Sequence, residues 1–439
     1  MPPLAQLEHL FLSLFTEAEL RRFLAGRTAT AGLDAHIGGR TPAEVAFEVA
    51  ALLSRHGSID AALFVDLVSA RPRRREDIER VGRAFGWVPP AAGSPAPVTP
   101  LAAPVTPLAA PAGDGVLRIL HLSDLHARTT TRWDADPLKA DLIRLFGEWG
   151  AGTPEARPDL VALTGDVAWS GLPAEFTLAA AWLRDDVLPA MGLTPADVLV
   201  VPGNHDLDRP SCDSVTLKAL ERALRQDGEG VFADVWGDAD QRALLHRRYT
   251  AYLAFLTELG VAHPRTPHWA WSTTVHGHPF HFVGLDTALL HTPSAWLPGP
   301  ENAKGRLVLG QRPLNEALTG VPRSTPVIAL AHHPLDWLID WDHRAVLPII
   351  RARVDVLLRG HLHEADPTRT QSSGGQLVEL TAGSVYDGSE WPNGVQRIEI
   401  DPGRNEVRVY PYVWSRQRHQ WIVDRNVGDG TGMIVYPLR

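Results

Sequence analysis

Two rhythms of apolar and polar positions divide the chain. Up to about residue 88 the apolar side chains recur every three to four positions, as in Val45, Val49, Leu52 and Leu53, then Leu63, Phe64, Leu67 and Val68. That period is helical. Start and stop signals bracket it. Thr16 with Glu19 reads as a capping box for a helix holding Leu20, Phe23 and Leu24. Thr41, Pro42 and Glu44 open another, Gly57 ends it, Ser58 caps the next, and a last helix is expected near residues 76–85. Residues 1–88 therefore read as a small all-α bundle. From residue 116 the rhythm changes to short, β-branched-rich runs at 116–122, 159–163, 198–201, 326–331 and 354–358. Such runs predict strands buried on both faces, the mark of an α/β fold. Residues 208–272 return to a helical pattern, at 215–224 and 242–259, and read as an insertion long enough for a lid. After residue 363 the chain turns β-rich again, at 376–381, 395–400, 406–412 and 421–424, and these strands are expected to complete a second sheet.

Between the two patterns, residues 89–115 are almost wholly Pro, Ala, Gly, Val, Thr and Leu, with PVTPLAA at 97–103 repeated at 104–110. Frequent proline blocks helix and sheet pairing, so this stretch is an extended, semi-stiff spacer. The domain reading is 1–88, linker 89–115, and 116–439.

Composition narrows the functions. With 439 residues, 44% of them hydrophobic and 21% charged, there is material for a large globular domain and a smaller one. The formal charge of −9 gives no general pull toward phosphate backbones or anionic membranes, so duplex nucleic acid is a disfavoured partner. Cys212 is the single cysteine, which excludes an intrachain disulfide and a cysteine-based zinc or iron–sulfur site. Residues 1–20 lack a basic leader and carry Glu8, Glu17 and Glu19, and no apolar stretch reaches the roughly 20 residues of a membrane span. The expectation is a cytoplasmic protein. The basic run at Arg71, Arg73, Arg74 and Arg75 is followed by Glu76, Asp77 and Glu79 and reads as a solvated, mixed-charge face.

The chemistry lies just past the strand ends: Asp124-Leu125-His126, Gly165-Asp166, Gly203-Asn204-His205-Asp206, His332-His333-Pro334 and Gly360-His361-Leu362-His363. In α/β folds that is where ligands bind. Each segment alone is weak, since Gly-Asp is a common turn and a buried histidine is usually a core residue. Five in succession, each behind an expected strand, point to two divalent ions. Carboxylate oxygens and neutral imidazoles suit Mn first, with Fe or Zn as alternatives. Asp124 and His126, two residues apart, can seize one ion, and Asp166 can bridge both. Asn204 offers a neutral oxygen to the second, while His332, His361 and His363 complete the shells. His332 and His333 are adjacent and face opposite sides, so one of them ligates.

On these motifs, with His121-Leu122-Ser123 ahead of the first and Val201-Pro202 ahead of the third, the chain resembles the calcineurin-like metallophosphoesterases from about Arg118 to Asp401. The resemblance implies a four-layer αββα sandwich. It implies Asp124, His126, Asp166 and His363 on the first metal, and Asn204, His332 and His361 with shared Asp166 on the second. His205 matches the histidine beside the scissile bond, to bind a phosphate oxygen and protonate the leaving alkoxide. Asp206 is the other catalytic candidate, as an orienter of His205 or as a cap for the next helix. Arg128 and Arg209, with Asn204 and His205, are the candidates for holding substrate phosphate. Thr164-Gly165-Asp166-Val167-Ala168-Trp169-Ser170-Gly171 looks like the cyclic-nucleotide phosphodiesterase branch. The substrate expected is a phosphoester small molecule or nucleotide; a single-strand nuclease or a catalytically weak adaptor are the rival readings. Trp169, Trp269, Trp271, Trp296, Trp337 and Trp341 either stack a base or fill gaps between layers.

The N-terminal segment resembles the bacterial effector-associated domains, death-like helical modules. Its carriers are Leu14-Phe15-Thr16-Glu17-Ala18-Glu19-Leu20-Arg21-Arg22-Phe23-Leu24, Leu52-Leu53-Ser54-Arg55-His56-Gly57 and Arg71-Pro72-Arg73-Arg74. That implies a protein partner with a similar module, recruiting the esterase to a bacterial signalling or defence complex.

Overall fold

The computed structural model describes residues 3–15, 20, 42–55, 59–71, 74–87, 115–129, 135–152, 157–208, 215–291, 303–363, 368–372, 375–386, 393–428 and 430–438. The chain divides into two compact units, 1–108 and 109–439.

In the first unit, helices Pro3–Leu14, Pro42–Arg55, Ala61–Ala70 and Arg75–Ala84 share one core. Leu7, Leu10, Phe11 and Leu14 form a stripe at helical spacing and meet Val45, Val49, Leu53, Phe64 and Ile78. The third of these helices is capped by Asp60, whose Oδ1 accepts from Leu63 N at 2.9 Å. The caps expected at Thr16, Thr41 and Ser58, and the helix around Phe23 and Leu24, lie outside the described residues. The arginine run does more than meet solvent. Arg71 Nε donates to Leu14 O at 2.9 Å and an Arg74 Nη to Ser13 O at 3.0 Å. Both satisfy carbonyls at the C-terminal end of the first helix, where positive charge is favoured.

The second unit holds two sheets. In chain order the strands are β1 Leu117–Leu122, β2 Leu160–Thr164, β3 Val198–Val201, β4 Trp269–Val275, β5 His278–Gly284, β6 Val327–Leu330, β7 Val356–Arg359, β8 Thr368–Ser372, β9 Gly375–Thr381, β10 Gly394–Asp401, β11 Glu406–Ser415, β12 Gln420–Val423 and β13 Ile434–Pro437. The first sheet runs β12-β11-β10-β1-β2-β3, with β13 also on β11; the second runs β4-β5-β6-β7-β9-β8. β1, β2 and β3 are parallel, as are β5, β6, β7 and β9.

The doubly buried runs are explained by three apolar layers. Ile119, Leu160, Ala162 and Leu199 of the first sheet meet Phe282, Ile328, Val356 and Leu380 of the second. Their alternate neighbours, Leu120, Val161 and Val200, face outward onto Leu142, Phe146, Phe176 and Leu183. On the far side Ala329 and Leu357 pack against Leu314, Val346 and Ile350. Helices therefore flank both sheets.

Two expectations change. β10 pairs antiparallel with β1 through Ile119↔Ile398, so β10 to β13 extend the first sheet, and only β8 and β9 join the second. Alternation shows that a strand has a buried face; it carries no address for the sheet. The insertion, with helices Val215–Gly237, Ala239–His246 and Thr250–Leu259, is no free lid. Its Phe232, Leu245, Tyr249, Tyr252 and Phe255 belong to the same core as Phe176 and Val200.

Candidate metal centre

All five motif segments leave the ends of parallel strands that point to one edge. Past β1 and β2 the two chains keep running together: Asp124 N donates to Gly165 O at 3.1 Å and His126 N to Asp166 O at 3.0 Å. The sheets are then stitched to each other. His332, after β6, places Nδ1 2.7 Å from Thr164 O at the end of β2. His361, after β7, donates its backbone N–H to Asp124 Oδ2 at 3.1 Å.

The turn geometry is unusual. Asp124, His126, Asp166, His361 and His363 all have positive φ, at 54, 47, 52, 73 and 55°. For residues with a Cβ that region is disfavoured, at about 1 kcal/mol or more each, and such strain gathers at functional sites. Close approach explains two glycines. A Cβ on Gly203 would collide with the Asp166 carboxylate, and one on Gly360 with Ser123 Oγ and, at 2.7 Å, with Asp124 Oδ2.

Asp166 Oδ2 is 3.5 Å from His126 Nε2 and 3.2 Å from His332 Nε2. His363 Nε2 is 3.1 Å from Asp124 Oδ1, and His361 Nδ1 is 3.1 Å from His332 Nε2. Donors bound at about 2.0–2.2 Å to one ion stand roughly 3 to 3.5 Å from each other, so these separations suit shared ions. Asp166 Oδ2 is the common corner of both groups. Asn204 Oδ1 and His361 Nε2 are buried and have no hydrogen-bond partner among the described residues, which is costly unless something else binds there. Hard oxygens, neutral imidazoles and an orphaned amide oxygen fit divalent cations. Ligand atoms of Asp124, His126 and His363 lie within 4.8 Å of one another, as do those of Asp124, Asp166 and His332.

Electrostatics agrees. Burial opposes ionisation of Asp166, yet the neighbouring His332 and His205 imidazoles hold its carboxyl well below the usual range. Burial would likewise keep His332 neutral, but Asp166 and Asp124 raise it to about 9. The spot between the acids favours positive charge.

His205 is half-buried beside this cluster, with its backbone N–H on Asp166 Oδ1 at 2.8 Å. Its Nδ1 is 2.5 Å from Trp169 O, an acceptor only, so Nδ1 carries hydrogen. Asp206 is held by backbone donors. Its oxygens accept from Ala168 N at 2.8 Å and Gly203 N at 2.9 Å, fully buried, so the side chain ties two ligand loops together. Burial and the charge of Asp166 push it up to about 7. Arg128 stacks on Trp169, its guanidinium carbon 3.4 Å from the ring centroid, and Trp169 lies 4.9 Å from the His205 ring. Arg209 and Trp296 lie outside the described residues. Among the other tryptophans Trp269 and Trp337 are buried, Trp269 donating to Val200 O at 2.8 Å, so they fill gaps; Trp169 is the one beside His205. His121 is buried with Nε2 2.9 Å from Thr164 Oγ1.

Several supports had no sequence signal. Ser384 Oγ donates to Asp124 O at 2.9 Å, fixing the first ligand loop. Thr287 contacts His333 at 3.0 Å, and His291 stacks on the same ring. Contacts of this kind join residues more than 40 positions apart and leave no periodic trace.

The chain is 20% identical over 316 residues to an uncharacterized metallophosphoesterase-like protein, YydB, of Bacillus subtilis (strain 168), covering 70% of this chain and 61% of the relative. Among solved structures it is similar to wild-type Vps29 complexed with zinc from Entamoeba histolytica, 13% identical, TM-score 0.30, covering 74% of this chain and 100% of that one. Chaetomium thermophilum Vps29 is 10% identical with TM-score 0.29 over the same shares. The family model for calcineurin-like phosphoesterase matches residues 117–365, more than half of the chain, and with the ligand-bearing strand ends inside that span the chain belongs to this family.

Proposed function

We propose that the chain is a two-metal phosphodiesterase acting on nucleotide-like phosphodiesters, with Mn as the working metal. The observation that carries this is the single oxygen Asp166 Oδ2, set 3.5 Å from His126 Nε2 and 3.2 Å from His332 Nε2. Asp124, His126, His363 and Asp166 would hold one ion, and Asp166, Asn204, His332 and His361 the other. When bound, such a pair neutralises phosphoryl charge and supplies hydroxide at neutral pH.

The remaining work falls to this chain's own groups. His205, aimed by Trp169 O, donates a proton from Nε2 to the departing oxygen in its protonated form. Arg128, held flat on Trp169, meets a non-bridging phosphate oxygen, and the exposed part of the indole receives the organic group of the ester. The pattern from Thr164 to Gly171 supports a diester, and a cyclic nucleotide among diesters. The helical first unit is read as the adaptor that docks the enzyme to a partner with a similar module in a bacterial signalling or defence complex. The resemblance of residues 14–24 and 71–74 supports it.

The test is metal analysis of the full chain followed by a panel with Mn added: an aryl phosphodiester, cyclic mononucleotides, and single-stranded DNA and RNA. Hydrolysis of the first two with two ions per chain is expected. Cleavage of the single strands alone would favour a nuclease, and no turnover with no metal would leave an adaptor.

A further inference from the structure

Behind His361 stands a second tier of imidazoles that the proposed reaction does not use. His333 is fully buried, its ring 4.6 Å from that of His361 and 5.5 Å from that of His291, nearly parallel to the latter at 19°. Thr287 grips it twice. Its Oγ1 accepts the backbone N–H of His333 at 3.0 Å and lies 3.0 Å from Nδ1. A hydroxyl oxygen has two lone pairs and can take both N–H groups, and the tautomer with Nδ1–H on Thr287 makes His333 Nε2 an acceptor. Among the described residues neither that atom nor Nε2 of His361, both buried, has a hydrogen-bond partner. Since Nδ1 of His361 is the nitrogen 3.1 Å from His332 Nε2, it is the ligand atom, and the proton of the neutral ring sits on Nε2. A histidine that ligates through one nitrogen anchors the other N–H on an acceptor.

We propose that His333 is a positioning residue for the second metal: its Nε2 takes the Nε2 proton of His361 through one water, and keeps Nδ1 aimed at the ion. This rests on the two-metal reading. The support continues outward. Tyr249 of the insertion bonds both oxygens of Asp286 at 2.8 Å, and Arg248 donates to His291 O at 3.1 Å while pairing with Glu221 at 2.7 Å. The segment carrying Thr287 and His291 is thereby fastened to the helical insertion. The insertion holds the metal edge from behind.

The experiment is Mn binding by calorimetry, with the paramagnetic resonance spectrum of the bound ions, on the full chain. The wild type should bind two ions and show a coupled Mn pair. His333→Ala should bind one ion as before and the second about 10- to 100-fold more weakly, with an isolated-ion spectrum in its place. His333→Gln, whose amide oxygen can accept the same proton, should recover most of the loss. Two ions at unchanged affinity in His333→Ala overturn the proposal. So does a third ion in the wild type, because it would make His333 itself a ligand. Fewer than two ions in the wild type sinks the two-metal reading, and this inference with it. Should His333→Ala fail to fold, Thr287→Val loosens the ring without removing it, and an unchanged second site there counts equally against the idea.

Discussion

Two buried polar clusters lie within the second unit, and they are built on opposite principles. In the insertion, Arg248 is fully buried yet faces Glu221 at 2.7 Å, and Tyr249 closes on Asp286 at 2.8 Å. Protein charges there meet protein charges. At the metal edge Asp124, Asp166, Asn204, His332 and His361 converge with positive φ at three of the five, while Asn204 Oδ1 and His361 Nε2 find no partner among the described residues. Strained backbone of this kind gathers at active sites and ligand clamps, where a bound group can compensate it. A cluster closed by its own groups serves stability, whereas an open one waits for something else.

That contrast is sharpest at Asp166. Asp166→Asn removes charge from both proposed ions and should abolish turnover, while the melting temperature of the metal-free protein falls, because the amide no longer pairs with the raised His332 imidazole. Metal content and rate check it together; two bound ions with a normal rate would refute the bridging role. Arg248→Met is the converse. It leaves Glu221 buried without its partner and should cost about 3–5 kcal/mol in denaturant unfolding. If Arg248→Met left stability unchanged but removed metal, the two clusters would not be separable.

His205→Ala should keep the metals and lose about 100-fold in turnover, since a general acid contributes on that scale. The loss should shrink for a nitrophenolate leaving group, which needs no proton; equal losses for alkoxide and nitrophenolate would count against the acid. The smallest effect is expected from the first unit. Its core of Leu7, Phe11, Val49, Leu53 and Phe64 is its own. A chain starting at Gly113 should therefore fold, load metal and hydrolyse an aryl diester within about tenfold of the full chain, a difference below about 1.4 kcal/mol. Insolubility or a larger drop would make the bundle part of the catalytic body.

The sequence by itself determined the five ligand-bearing strands and the polar segments that follow them, while β4, β5, β8 and β13 were not legible in it. β1, β2, β3, β6 and β7 begin and end within two residues of their apolar runs, because a strand buried on both faces is mostly apolar. Asp124, His126, Asp166, Asn204, His332, His361 and His363 were legible because ligand-grade side chains past such strands have few structural uses. What each polar group does was decided only by tertiary structure. Asp206 turned out to tie Gly203 to Ala168, and a backbone carbonyl of Trp169 aims His205 in its place. β10 to β13 joined the first sheet because β10 found an edge on β1, and the insertion became core because Tyr249, Tyr252 and Phe255 met the outer face of that sheet. Local periodicity fixes how a segment folds and which face it buries. Which partner it buries that face against, and which hydrogen bond each polar atom makes, depends on segments tens to hundreds of residues away.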